Sequence, residues 1–88
     1  MEQEPQTYNL SQIFQIAPEL FTKIKINAIN RNICHIDQLP SEFSDVKVVF
    51  LSNNQIGDIE NIVQFKNLES LSLANNNLKD FEQIEILQ

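Results

Sequence analysis

Three residues close together in the chain carry side chains able to do chemistry: Cys34, His35 and Asp37. A cysteine nucleophile needs a base within hydrogen-bond reach. The spacing works against that arrangement, because adjacent residues of an extended coil point to opposite faces and Cys34 and His35 would turn away from each other. There is no second cysteine or histidine to complete a zinc site. The plainer reading is a small apolar cysteine beside a surface histidine. The carboxylate pairs Asp58/Glu60 and Asp80/Glu82 recur because the pattern around them recurs, and they read as a solvated face rather than a general acid–base pair. The sole glycine, Gly57, cannot form a phosphate-cradling loop and is expected to ease a turn. The residues therefore argue for no catalytic site, no metal and no cofactor.

The elements that hold these side chains are organised by a repeat. Val46, Val49, Leu51, Asn54, Ile56, Ile59, Ile62 and Phe65 are each followed 22 positions later by Leu68, Leu71, Leu73, Asn76, Leu78, Phe81, Ile84 and Leu87. A fixed period of this length is the signature of stacked supersecondary units. Val49-Phe50-Leu51 and Leu71-Ser72-Leu73 alternate with period two, as short strands do. Asn54 and Asn76 end the alternation, and their amides, donor and acceptor at once, are suited to satisfy backbone groups at a tight bend. The two are expected to sit beside one another as a structural ladder. Ile59, Ile62 and Phe65 recur every three residues, which fits a 3₁₀ turn or an extended return. One copy cannot bury its own apolar edge, so the copies must stack.

The segments VKVVFLSNNQI at 46–56 and LESLSLANNNL at 68–78 resemble the leucine-rich repeat, L-x-x-L-x-L-x-x-N-x-L. The 22-residue period and the tails GDIENI and KDFEQI are similar to its short class, named for a yeast regulator of protein phosphatase-1. The resemblance implies an α/β leucine-rich repeat solenoid, with short parallel strands on a concave face and a 3₁₀ or irregular convex side. It also implies a protein-interaction module that binds a helix or loop of a protein partner on the concave face. By the period-two register the outward residues there are Val48, Phe50, Ser52, Ser70, Ser72 and Ala74, extended by Asn53 and Asn75, with Asn30 in the same column. Phe50 is an aromatic beside small residues and is the expected anchor of a binding surface; the competing reading is that another part of the chain covers it. The run from 39 onward further resembles the N-terminal repeats of centrosomal and ciliary leucine-rich proteins. Similar repeats occur in a phosphatase-1 regulator, an axonemal dynein light chain and a spliceosomal subunit, so the alternative is a structural subunit fixed in a large assembly. The implied location is cytoplasmic, with the cilium or centrosome favoured.

Composition agrees with one small domain of 88 residues. Net charge is −6, and each half holds six acids against three bases. No basic stripe exists to neutralise a phosphate backbone, so direct nucleic-acid binding is not expected. No apolar run approaches membrane-spanning length, and MEQEPQTYN lacks signal-peptide character. One cysteine excludes an internal disulfide and suggests a reducing compartment. Asn9-Leu10-Ser11 matches a glycosylation acceptor, a three-residue pattern that is common by chance.

In chain order, residues 1–9 read as a flexible tail or as an arm on a neighbouring protein. Residues 10–22 read as an N-terminal helical cap. Leu10, Ile13, Phe14, Ala17, Leu20 and Phe21 follow helical spacing, Ser11 is the expected N-cap, and Pro18 either kinks the helix or starts a second turn. Leu10, Phe14 and Phe21 are the expected cover for the first coil, against the rival of a partner-binding amphipathic helix. Residues 23–88 read as repeats, degenerate over 23–45 and regular over 46–67 and 68–88. In the degenerate copy Ile26, Ala28, Ile33, Ile36 and Leu39 lie 23 positions before Val49, Leu51, Ile56, Ile59 and Ile62. Arg31 falls on the ladder position, and Asn32 is the expected substitute. Leu39-Pro40 with Phe43 would close that coil. The next strand would begin near position 90, so a continuation of the chain or a neighbouring subunit is expected to cover the C-terminal edge.

Overall fold

The computed structural model describes residues 6–78. Its elements in order are strand β1 (Tyr8–Asn9), helix α1 (Leu10–Ile16), a 3₁₀ turn (Pro18–Leu20), β2 (Lys25–Asn27), β3 (Ile33–His35), a 3₁₀ turn (Ser41–Phe43), β4 (Val48–Phe50), a 3₁₀ segment (Glu60–Gln64) and β5 (Ser70–Ser72). Strands β2, β4 and β5 form one parallel sheet in that order. Lys25, Ile26 and Asn27 pair with Val48, Val49 and Phe50, which pair in turn with Ser70, Leu71 and Ser72. The register offsets are thus those of the repeat, 23 and then 22 residues. Ladder bonds continue beyond the strands, from Ala28 N to Phe50 O (2.9 Å), Asn30 N to Ser52 O (3.0 Å) and Asn53 N to Ala74 O (2.9 Å). This is an α/β repeat fold.

The inward column closes a single core. Ile26, Ala28, Ile33, Ile36, Leu39 and Phe43 of the first coil join Val46, Val49, Leu51, Ile56, Ile59, Ile62 and Phe65 of the second, all buried. Leu68, Leu71, Leu73 and Leu78 pack against that core and remain partly buried. Phe81, Ile84 and Leu87, and the pair Asp80/Glu82, lie outside the described residues.

Four differences from the sequence reading have physical causes. The helix begins at Leu10, with Asn9 and not Ser11 at its N-cap. Ser11 is drawn elsewhere: its backbone N–H reaches Asp37 Oδ1 at 2.9 Å and its hydroxyl donates to Asp37 Oδ2, so a carboxylate 26 residues away satisfies the first turn. The expected tail is ordered at its end, because β1 pairs in parallel with β3 and Tyr8 N donates to Asn32 O at 2.9 Å. Asn32 therefore does not substitute for the ladder. It is exposed, at a φ of 58°. Nor does Gly57 carry a left-handed turn. The positive-φ positions among the described residues are Asn30, Asn32, Asn53 and Asn75, the residue type whose short side chain best tolerates that region after glycine.

Pro18 stands at the start of its 3₁₀ turn, where its missing N–H is no loss. Beyond that turn Phe21 bridges to Ile26, and Thr22 Oγ1 accepts the N–H of Lys25 (2.8 Å) as the chain reverses into β2. Phe14, Phe21 and Phe43 meet with ring centroids 5.0–5.9 Å apart in tilted and edge-on geometries, contacts worth about 0.5–1.5 kcal/mol each beyond area burial. Leu10 and Ile13 are buried in the common core, which leaves Ile16 as the strongly exposed apolar residue of α1.

Candidate functional site

The chemical trio of the sequence does not converge. Cys34 is exposed. Asp37 is engaged by Ser11. His35 Nδ1 instead lies 4.0 Å from Asp58 Oδ2, both side chains being close to half exposed. Among the described residues no group of three or more histidine, cysteine, aspartate or glutamate side chains could hold a metal ion, and no helix is long and apolar enough to cross a membrane.

Among the described residues Asn54 is the side chain with the most hydrogen bonds. It is buried. Its Oδ1 accepts the N–H of Arg31 (2.9 Å) and of Ile33 (3.1 Å), and its Nδ2 faces the carbonyls of Ala28 (3.0 Å), Leu51 (2.8 Å) and Ser52 (3.2 Å). It therefore joins its own coil to the preceding one. Asn76 repeats the arrangement: Oδ1 accepts Ile56 N (3.0 Å), and Nδ2 faces the carbonyls of Leu51 (2.9 Å), Leu73 (3.0 Å) and Ala74 (3.3 Å). In these bonds each amide ties backbone to backbone. The amide-to-amide rung belongs to the outward neighbours, where Asn75 Nδ2 donates to Asn53 Oδ1 at 2.7 Å.

A second cross-coil device escaped the sequence reading. Gln64 Oε1 accepts Leu39 N (2.8 Å), while its Nε2 donates to Asp37 O (2.9 Å), and Asn61 Nδ2 donates to Ile36 O (2.9 Å). These amides stitch the irregular side of two coils, where there is no strand ladder. No apolar periodicity marks them. Their only signal is a polar amide interleaved with Ile59, Ile62 and Phe65.

The outward column of the sheet holds the residues expected to bind a partner. Val48, Phe50, Ser52 and Ser72 are half-buried, whereas Ser70, Ala74, Asn53 and Asn75 are exposed. The Ser52 and Ser72 hydroxyls are within hydrogen-bond distance of each other. Phe50 is less open than its small neighbour Ser72 suggested, because the first coil supplies cover. Lys25 Nζ stands 4.9 Å from the centroid of the Phe50 ring, a cation–π contact. The first coil thus adds Lys25, Asn27 and Ile29, all exposed, to this face. The same 23-residue offset that aligned the inward residues would have found them. Beyond β5, Ile62, Val63, Phe65, Leu68 and Leu71, with Lys66, Glu69 and Ser70, line a groove of about 480 Å³.

Stacked parallel strands with asparagine-bridged coils define a repeat module. A family model of leucine-rich repeats, in two copies, matches residues 45–86, a little under half of the chain. Such repeats generally mediate protein–protein interaction and are typically not enzymatic. No curated protein and no solved structure matches the chain.

Proposed function

We propose that the chain is the N-terminal part of an intracellular leucine-rich repeat solenoid, a non-catalytic module that takes a helix or loop of a protein partner on the outward face of β2, β4 and β5. Residues 10–22 serve as its cap, residues 23–45 as a first, divergent repeat, and the edge beyond β5 takes a further coil or a neighbouring subunit. The observation that carries the binding reading is the placement of Phe50. It is an apolar ring in register between Asn27 and Ser72, with the small or polar residues Ser52, Ser70, Ala74, Asn53 and Asn75 around it. Anchor residues of interfaces are commonly aromatic and sit among contacts that contribute little themselves.

The test is Phe50→Ser, followed by a thermal melt and by binding to partners captured with the wild-type chain. Retained folding with affinity lowered by about 2 kcal/mol or more is the expected result. A melt that collapses would make Phe50 a structural residue. Unchanged recovery of every partner would move the binding surface elsewhere.

The partly buried Leu68, Leu71, Leu73 and Leu78 of the last described coil favour a second reading, in which the chain is a subunit fixed in a large assembly. Sedimentation separates the two, since a stable monomer speaks for an independent module. A cytoplasmic location at a cilium or centrosome, and kinship with phosphatase-1 regulators, are supported by the likeness of the repeat motifs alone.

A further inference from the structure

The outward face is distinguished by charge. The protein carries twelve acids against six bases, yet no acidic residue falls within β2, β4 or β5. All seven described acids lie outside these strands; among them Asp37 is held by Ser11, Asp58 lies by His35, and Glu69, just ahead of β5, stands 3.9 Å from Lys47 Nζ. Lys25 is the one charged residue within these three strands. Among the described residues no carboxylate lies within 4.0 Å of it. Its ammonium is positioned over the Phe50 ring.

We propose that the segment bound here is an acidic–apolar stretch of a protein, placing a carboxylate on Lys25 and an apolar side chain against the exposed part of Phe50. The inference rests on the outward face being the binding surface. Three alternatives are weaker on the same observations. A basic segment would be drawn by the net charge of −6 but would meet Lys25 at contact. The long-range field is screened over about 8 Å at physiological ionic strength, so the local cation decides contact chemistry. A purely apolar segment would leave Lys25 desolvated without a partner, a costly outcome. A nucleic acid offers a phosphate array, against which a single cation in the strands provides little counterion release.

Lys25 is exposed, so its substitution should leave the fold intact, a point checked by thermal melt. The probe is a phage-displayed library of random 16-residue peptides, selected in parallel on the wild-type chain, Lys25→Glu and Phe50→Ser. The expected outcome is enrichment on the wild type of peptides with aspartate or glutamate next to an aliphatic or aromatic residue. These should bind at least about tenfold more weakly to Lys25→Met, in keeping with close interfacial charge pairs. Their affinity should fall as salt rises, and Lys25→Glu should select lysine- or arginine-containing peptides instead. Peptides that require Phe50 but carry no acidic bias, or that bind Lys25→Met unchanged, overturn the acidic–apolar assignment while leaving the surface in place. Selection that yields no Phe50-dependent peptide overturns the surface and the assignment together.

Discussion

Along β4 and its extension two sets of residues alternate. Val49, Leu51 and Asn54 turn into the coil and are buried, whereas Val48, Phe50, Ser52 and Asn53 line the other side. Asn53 and Asn54 put the contrast in its sharpest form, since they are adjacent and chemically identical. Asn54 satisfies backbone groups at Ala28, Arg31, Ile33, Leu51 and Ser52, and so is bound to both coils. Asn53 is exposed at a φ of 61°, and its side chain makes one rung with Asn75. Asparagine is required at Asn54 for its amide and favoured at Asn53 for its backbone. Burial and backbone geometry, not residue type, decide what a side chain contributes.

The largest effect that would test this contrast is Leu51→Ala. Removing a wholly buried side chain from a closed core costs about 2–5 kcal/mol, read as a fall in the urea midpoint at constant m-value. A loss below about 1 kcal/mol would mean that the inward column is not packed as described.

Asn54→Ala comes next. It strands the buried N–H of Ile33 and the carbonyl of Ala28, so a loss of roughly 2–4 kcal/mol is expected from about 1–3 kcal/mol per unsatisfied buried group, relieved in part by water. Asn76→Ala should cost less, because Asn76 is only half-buried. Equal midpoints for the Asn54 and Asn76 variants would break the link between burial and cost.

A smaller effect separates backbone from side chain at Asn53. Asn53→Ala places a Cβ residue without a helpful side chain in the left-handed region, at a cost of about 1–2 kcal/mol. Asn53→Gly removes the same amide and should stay within about 0.5 kcal/mol. The same pair of substitutions at Asn75 should behave alike. If alanine and glycine are equally costly at either position, the Asn53–Asn75 rung and not the backbone is what asparagine supplies there.

Phe50→Ser is expected to change stability less than the loss of the buried Asn54 amide. Loss of the ring removes a cation–π contact with Lys25 worth roughly 0.5–1 kcal/mol at an exposed site, together with whatever burial its half-covered state provides. The expected shift in the urea midpoint is below that of Asn54→Ala. A larger shift would place Phe50 with the inward set and erase the distinction between the two sides.

Much of this was legible in the chain because a repeat writes its constraints more than once. The 22- and 23-residue offsets place β2, β4 and β5 in their observed register, and the inward column from Ile26 to Phe65 follows from them. Asn54 and Asn76 could be singled out since a polar residue recurred where the pattern was otherwise apolar. Other features had no second copy to announce them. Asp37 in the hand of Ser11, β1 on β3 and the cluster of Phe14, Phe21 and Phe43 each join segments of unlike sequence. Gln64 and Asn61 were hidden for the opposite reason, since solvated amides are ordinary in any coil.

The sequence alone determined the period, the two faces of each strand and the inward asparagines, because periodicity acts through local geometry and is readable without knowing what touches what. The tertiary structure alone decided which amides close on which carbonyls, that Ser11 takes Asp37 and that His35 lies near Asp58. It also decided that a lysine 25 residues upstream stands over Phe50. Those are distances between residues remote in the chain, set by the stacking of whole coils.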